Sequence, residues 1–298
     1  MKKYISVAAL LAAGTMFANA AMSGHWNFDE NLNSADDAAV KVPLAGKERQ
    51  VTTTENEDGS SSTTYSAADS AMTYVDSIAK GTVLGNYTVN KDLNKAVSIT
   101  DNQWLSVGSA AWSGTEQDYS ICPTKSFTFM SYVNFDSLNG EQFLFGTGAG
   151  NAAGIAFGIK EGELDLLLKG KNHWTLDSYE DLTANTWMHL AFSYDSETQV
   201  ASVFVNGDSV GTISLKDKAF ARVETNYGAA IGSASQDLVN DSIQGSFAGK
   251  LDDVQIYNTA LTQSEILTSA GLIPEPSAFG MLAGLGALAL VAARRRRK

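Results

Sequence analysis

The chain has 298 residues, of which 44% are hydrophobic and 18% charged, with one cysteine and a formal net charge of −12. This composition excludes a disulfide-stapled miniprotein, a disordered acidic tail and a collagen-like fibre. It leaves room for one large globular domain or two small ones.

The first twenty residues have the pattern of a signal peptide. A basic pair, Lys2-Lys3, precedes an apolar stretch over residues 4–17, which ends in Ala18-Asn19-Ala20. Small residues in this spacing mark a signal peptidase site, so we expect cleavage after Ala20 and an exported protein. The apolar stretch is short for a membrane span, which argues against the alternative of an N-terminal anchor.

The body of the chain is more acidic than the whole. Residues 21–273 carry 14 basic and 32 acidic side chains, a net charge of −18. Nucleic acid and anionic lipid surfaces repel such a body, so we predict no nucleic-acid partner. The one cysteine, Cys122, cannot close an intramolecular disulfide, and the exported fold must depend on its core or on a metal.

A polar segment lies early in the chain. Nine of the fifteen residues from Thr52 to Ser66 are Ser or Thr, with Asp58-Gly59 in the middle. Two alternatives stay open, namely a protruding polar hairpin with cross-strand Thr pairs and a disordered loop.

Alternating apolar and polar residues predict strands through the middle of the chain. Phe127, Phe129, Ser131, Val133 and Phe135 lie on one face of a predicted strand. Similar segments follow at Gln142–Thr147, Gly154–Ile159, Glu163–Lys169, Thr186–Tyr194, Gln199–Asn206 and Val210–Leu215. Asn206-Gly207 predicts a tight hairpin turn, since both residues accept a positive φ. Without crossover helices between them, these strands predict an all-β, antiparallel two-sheet sandwich.

One short helix is predicted near the end of this domain. Thr262 and Glu265 have the spacing of a capping box, Ile266 and Leu267 give an apolar face, and Gly271 ends the helix. We expect this helix to pack as a lid against the sandwich.

The C-terminus carries three features in order. Pro274-Glu275-Pro276 is followed by an apolar run over residues 278–293 and by a basic tail. Residues 274–298 therefore resemble the PEP-CTERM sorting signal. The resemblance implies an exosortase-type processing protease, a membrane helix that anchors the protein transiently, and a final location at the cell surface or in the extracellular matrix. A permanent single-span anchor is the alternative.

Several segments between the two termini form an ordered set, namely Gly24–Glu30, Ser126–Phe129, Trp187–Ala191, Val203–Gly207, Ala230–Gly232 and Phe247–Tyr257. In this order they resemble a LamG-like jellyroll domain of the concanavalin A-like lectin/glucanase superfamily. The resemblance spans about residues 23–270 and implies a jelly-roll domain over 21–273, with an insertion at about 46–80.

A glycosidase needs two carboxylates at a fixed distance from each other, so the acidic residues indicate whether the chain is one. Glycosidases of the superfamily carry Glu-x-Asp-x-Glu, or a variant one residue longer, on one strand. The nearest segment begins at Glu163 and Asp165, but leucines stand at 167 and 168. The sequence therefore predicts a protein that is not an enzyme.

A structural calcium ion is the cofactor that the resemblance implies. In the superfamily, calcium commonly joins the first strand to the last, and the matching positions are Asp29 and Asp252. Asp253 is expected on the opposite face of its strand. Alternatively, Asp29 and Asp252 only hydrogen-bond the chain ends together.

Sugar binding is predicted at aromatic residues beside polar ones, because a pyranose has an apolar face and a polar rim. Trp174 with Asn172 and Asp177 is the first candidate, and Tyr227 is the second. The predicted function is a non-catalytic module that binds carbohydrate or a surface glycoconjugate. The alternative is a structural matrix or adhesion protein without a sugar site.

Overall fold

The computed structural model describes residues 22–29, 44–56, 58–100, 102–107, 126–146, 155–168, 172–176, 182–216, 227–228, 230–237 and 242–274. No helix within these ranges is long and apolar enough to cross a membrane. The predicted membrane segment, residues 278–293, and the signal peptide lie outside the described residues.

Twenty-two strands and one helix are described. They are β1 (Met22–Trp26), β2 (Leu44–Glu55), β3 (Ser61–Asp69), β4 (Thr73–Asp76), β5 (Val83–Leu84), β6 (Tyr87–Val89), β7 (Lys95–Ile99), β8 (Gln103–Val107), β9 (Phe127–Phe135), β10 (Glu141–Gly146), β11 (Ile155–Lys160), β12 (Glu163–Leu168), β13 (Asn172–Leu176), β14 (Met188–Asp195), β15 (Val200–Val205), β16 (Asp208–Ser214), β17 (Tyr227–Gly228), β18 (Ala230–Ile231), β19 (Ser233–Asp237), β20 (Ser242–Ser246), β21 (Gly249–Tyr257), α1 (Gln263–Ala270) and β22 (Leu272–Pro274).

Two large antiparallel sheets form the sandwich. Sheet A has the order β16-β15-β14-β9-β21-β7-β4, with β1 also paired to β21. Sheet B has the order β13-β12-β11-β10-β18-β8-β2-β3. Two small sheets, sheet C (β22-β6-β5) and sheet D (β17-β19-β20), complete the described strands. The predicted all-β sandwich with one short helix is confirmed.

The core lies between sheets A and B. The alternation predicted for β9 is confirmed, because Phe127, Phe129, Val133 and Phe135 are all core residues. Phe129 stacks on Phe145 of sheet B with ring centroids 5.0 Å apart. Rings stacked across the sandwich in this way fix the spacing of the two sheets.

The turn at Asn206-Gly207 is also confirmed. Both residues have positive φ, 52° and 87°, and they join β15 to β16 with Val205 opposite Asp208. This conformation matches the twist of the flanking strands.

The Ser/Thr-rich segment forms the hairpin of β2 and β3. Its register places Thr52 opposite Thr64, and the Thr53 and Thr63 hydroxyl oxygens lie 3.5 Å apart. The hairpin alternative is therefore correct. The expected insertion also supplies strands to both large sheets, since β2 pairs with β8 and β4 pairs with β7.

Helix α1 covers part of the outer face of sheet A. Its predicted cap is confirmed, because Glu265 N–H donates to the Thr262 hydroxyl and the Thr262 N–H donates to the Glu265 carboxylate at 2.8 Å. Gly271 ends the helix with φ at 69°. Ile266 packs against Met130 and Phe204 of the sheet, which makes the helix the predicted lid.

Sheet C covers the neighbouring part of the same face. Leu84, Val89 and Leu272 pack with Tyr132, whose hydroxyl donates to the Ala270 carbonyl at 2.7 Å. Sheet D covers sheet B in a similar manner, with Ala234 packed against Phe143 and Leu167. Both outer faces of the sandwich thus carry a second layer.

Candidate functional site

Strand β21 is irregular where it passes between β1 and β9. Its register with β9 shifts between Asp252 and Gln255, and Asp253 has φ at 48°. Leu251 and Val254, three residues apart, both face the core. A bulge of this kind breaks the alternation along a strand, so the expected opposition of Asp252 and Asp253 does not describe this segment.

Asp252 is fully buried and hydrogen-bonded on both oxygens. The Ser77 hydroxyl donates to its Oδ2 at 2.5 Å, and the Asp253 N–H donates to its Oδ1 at 2.6 Å. Asp29 lies close enough for its charge to act on Asp252, and its Oδ1 accepts the N–H groups of Asn94 and Lys95, each at 3.1 Å. The structure therefore brings the two predicted metal ligands into one region.

Burial raises the pKa of Asp252 from 3.8 to about 8. The negative charges of Asp253 and Asp29 act in the same direction, whereas the hydrogen bonds from Ser77 and the Asp253 N–H act against them. The carboxyl is consequently mostly protonated at neutral pH in the absence of a cation.

Asp253 belongs to a separate buried cluster that the sequence did not predict. Its Oδ1 lies 2.6 Å from His25 Nε2 and 2.6 Å from Lys91 Nζ. Its Oδ2 accepts from Gln255 Nε2 at 2.8 Å, and the Tyr257 hydroxyl donates to Gln255 at 2.7 Å. Residues from β1, from β21 and from the segment between β6 and β7 meet in this cluster, which we call the Asp253 cluster.

Two opposing effects set the charge of Asp253. Burial by itself raises its pKa, but the hydrogen bond with His25 and the charges of Lys91 and His25 outweigh burial and hold the pKa below its usual value. Asp253 is thus the ionised carboxylate, and neighbouring Asp252 is the neutral one. Burial also lowers the pKa of the nearby His189 to about 4, so that its imidazole is neutral.

The region offers a calcium ion only part of its ligands. Calcium takes six to eight oxygens. Three of the four oxygens of Asp29 and Asp252 already accept hydrogen bonds, but their donors are Ser77, Asn94, Lys95 and the Asp253 N–H, so these bonds do not tie the two ends of the domain to each other. Within the described residues, no group of three or more His, Cys, Asp or Glu is arranged to hold a metal. Backbone carbonyls or water would have to supply the rest, and calcium stays a prediction.

The predicted sugar-binding residues lie on two sheets. Asn172 and Trp174 are on β13, one of the two described edge strands of sheet B, where Trp174 is opposite Leu166. Tyr227 is on β17 of sheet D, opposite Asp237. Asp177 lies outside the described residues. Their role in binding remains a prediction.

The incomplete carboxylate motif has two different environments. Glu163 is exposed, whereas Asp165, two residues along β12, is 1% exposed. A glycosidase pair must reach the sugar with both carboxylates. In this structure Asp165 is enclosed, whereas Glu163 is open to solvent.

The sorting motif begins inside the fold. Pro274 is the last residue of β22 and lies opposite Tyr87 of β6, whereas Glu275, Pro276 and the predicted cleavage site at Ala20 lie outside the described residues. An edge strand accommodates proline, since its missing N–H is not needed there.

Two family models match the chain. The model described as the concanavalin A-like lectin/glucanases superfamily matches residues 108–267, and the PEP-CTERM protein-sorting motif matches residues 272–297. No curated protein matches it.

Solved structures share the fold. Domain 4 of AbnA, a GH43 extracellular arabinanase from Geobacillus stearothermophilus, in complex with arabinotriose, is 17% identical with a TM-score of 0.50, covering 84% of this chain and 98% of that chain. The CBM40 of the Ruminococcus gnavus IT-sialidase is 17% identical with a TM-score of 0.45, covering 59% of this chain and 96% of that chain. At 17% identity, the likeness to the arabinanase domain shows the fold alone.

Proposed function

Since the chain belongs to the concanavalin A-like lectin/glucanases superfamily, we propose that it is an exported, surface-targeted and non-catalytic module that binds carbohydrate or a glycoconjugate. One observation carries this proposal. The fold spans 98% of a domain solved in complex with arabinotriose, so this architecture is compatible with a sugar-binding surface. The fold alone does not fix function, and the site must be tested directly.

We infer that the sugar contacts one margin of sheet B. Asn172 and Trp174 are two residues apart on β13, so their positions share a face of this edge strand. Asp177 follows a few residues later in the chain. Tyr227, on β17 of sheet D, is a second and separate candidate. An aromatic ring beside an amide and a carboxylate offers the apolar and polar contacts that a pyranose needs.

The absence of catalysis is part of the proposal. Support comes from the missing third acid after Asp165 and from the enclosure of Asp165 itself. Glycoside hydrolysis of the common kind needs two carboxylates that flank the scissile bond.

The test is a glycan array probed with the full chain, repeated with Trp174→Ala and Trp174→Phe. We expect binding that Trp174→Ala abolishes and Trp174→Phe largely retains, because the phenylalanine ring still stacks on a sugar. Silence across the array, with unchanged folding of all three proteins, would reject sugar binding and leave the structural matrix protein.

We also propose that calcium binds at Asp29 and Asp252. Support comes from their positions, since Asp29 follows β1, Asp252 lies on β21, and the charge of Asp29 acts on Asp252. Calcium would exclude the proton from Asp252, so its binding should strengthen as pH rises. Titration calorimetry with calcium alone tests this, and an absence of heat at pH 8 would refute it.

The sorting match supports a further part of the function. We propose that the apolar segment 278–293 holds the protein in the membrane until an exosortase-type protease processes it. The protein then belongs to the cell surface or the extracellular matrix. A mature form that retains residues 278–293 would instead establish a permanent anchor.

A further inference from the structure

We propose that the exposed face of sheet C is a docking surface for the membrane-embedded sorting protease, which would read this face together with the Pro274–Pro276 motif. The inference rests on the sorting part of the proposed function and is independent of sugar binding. It assigns a second recognition element, far from the motif in sequence, to the folded domain.

The first observation is where apolar side chains are exposed. Among the described residues, the exposed large hydrophobic side chains are Val51 at 57%, Val83 at 58% and Ile273 at 45%. Two of the three are in sheet C. A single exposed apolar side chain is unremarkable, but two in one three-stranded sheet beside a recognition motif point to a contact surface.

The register makes these two residues part of one row. Thr88 of β6 lies opposite Val83 of β5 and opposite Ile273 of β22. Directly paired residues project from the same face of a sheet, so Val83, Thr88 and Ile273 form a continuous row across three strands. The other face of sheet C, with Leu84, Val89 and Leu272, is buried against the domain.

The row is continuous with the sorting signal. The sorting-motif match begins at residue 272, and residues 272–274 form β22 itself. The apolar segment starts at residue 278, four Cα–Cα steps beyond Pro274, a reach of at most about 15 Å. A protease that binds the membrane segment and the motif is therefore brought within contact distance of this face.

Sheet C is held firmly enough to act as a surface. Asp208, at the start of β16, accepts from Asn86 Nδ2 at 2.8 Å and from the Tyr87 hydroxyl at 3.1 Å. The Asn90 N–H donates to the Gly271 carbonyl at 2.8 Å, next to β22. The row thus has a fixed position relative to the end of helix α1, which reduces the ordering cost of docking.

The partner is a membrane protein with an apolar patch beside its substrate entrance. A small apolar row offers little to a lipid bilayer, because the protein body is strongly acidic and repels anionic lipid. A protein surface can match two aliphatic side chains and one hydroxyl more closely than lipid can.

The experiment follows conversion of the full chain to its processed form in a host that contains the sorting protease. Val83→Lys is the test, and Val51→Lys is the matched control, since the two valines are almost equally exposed but Val51 lies on the β2–β3 hairpin. We expect Val83→Lys to slow processing about fivefold, and Val51→Lys and Val83→Leu to leave the rate unchanged. Thr88→Lys should act as Val83→Lys does.

The outcomes separate docking from sorting. Pro276→Ala tests the motif alone, and processing of this variant at the normal rate would reject the sorting proposal. A second outcome would reject the docking surface but keep the sorting proposal. In it, Pro276→Ala blocks processing, whereas Val83→Lys and Thr88→Lys are processed at the same rate as Val51→Lys. Unchanged melting temperatures exclude misfolding. A parallel loss of binding to protein-free lipid vesicles would show a lipid contact and overturn the docking proposal.

Discussion

Replacement of Asp252 by Asn isolates the cost of a buried carboxyl group. Asp252 is 0% exposed, and burial moves its pKa from 3.8 to about 8. Asparagine has nearly the same shape, keeps an acceptor for the Asp253 N–H and carries no titrating proton. The comparison therefore reports the titration of one group.

The raised pKa of Asp252 decides how the stability of the fold changes with pH. In the folded state the carboxyl holds its proton up to about pH 8, whereas the unfolded chain releases it near 3.8. The contribution of Asp252 to stability is complete below pH 3.8 and is lost progressively as pH rises to 8. The free energy of unfolding falls by about 1.4 kcal/mol for each pH unit between the two pKa values. The wild type is therefore about 4 kcal/mol less stable at pH 7 than at pH 3.8.

The assay is urea unfolding of the wild type and Asp252→Asn between pH 4 and pH 9, in EDTA. We expect near-equal stabilities at pH 4 and a more stable variant at pH 8, by a few kcal/mol. A difference that does not change with pH would refute the reasoning, because it would show that Asp252 keeps the same ionisation in both states.

Three further predictions concern the cap of helix α1, the packing of sheet D and the Asp253 cluster. Thr262→Ala removes the capping box and should cost about 1 kcal/mol of unfolding free energy, whereas Thr262→Ser should cost little. Gly146→Ala places a Cβ within 1.7 Å of the Ala234 carbonyl oxygen, so we expect a melting temperature many degrees lower, and an unchanged one would contradict the packing of sheet D. Lys91→Met removes a hydrogen bond from an ammonium group to the Asp253 carboxylate and should cost about 2 kcal/mol at pH 7. Because the pKa of Asp253 is lowered, this cost should shrink as pH falls below 3.8, which urea unfolding at pH 3 and pH 7 can measure.

The sequence predicted those parts of the fold that depend on local chemistry. The two faces of β9, the turn at Asn206-Gly207 and the cap at Thr262 each follow from a pattern of a few neighbouring residues, and the structure confirms all three. The choice between hairpin and loop at Thr52–Ser66 stayed open, because Ser and Thr suit both states.

The Asp253 cluster could not be predicted in this way. Its members come from three distant parts of the chain, and the bulge that turns Asp253 towards His25 has no glycine to mark it. Alternation along a regular strand was the only available rule, and it fails at a bulge. Lys91 gave no signal at all, since a single lysine after Asn90 is typical of any surface turn. The sugar-binding positions remain sequence predictions.

The position of β21 in sheet A has a consequence for the timing of folding. This strand lies between β9 and β7, and β1 pairs with it across more than 220 residues of chain. At about 5–20 residues per second, the ribosome needs roughly 10 to 45 s to make the intervening chain. This interior strand of the sheet is thus made nearly last, and contacts of such long range favour slow folding. The sandwich closes only when the sorting signal is about to follow, so a chain truncated before β21 should present neither a folded domain nor a signal for anchoring.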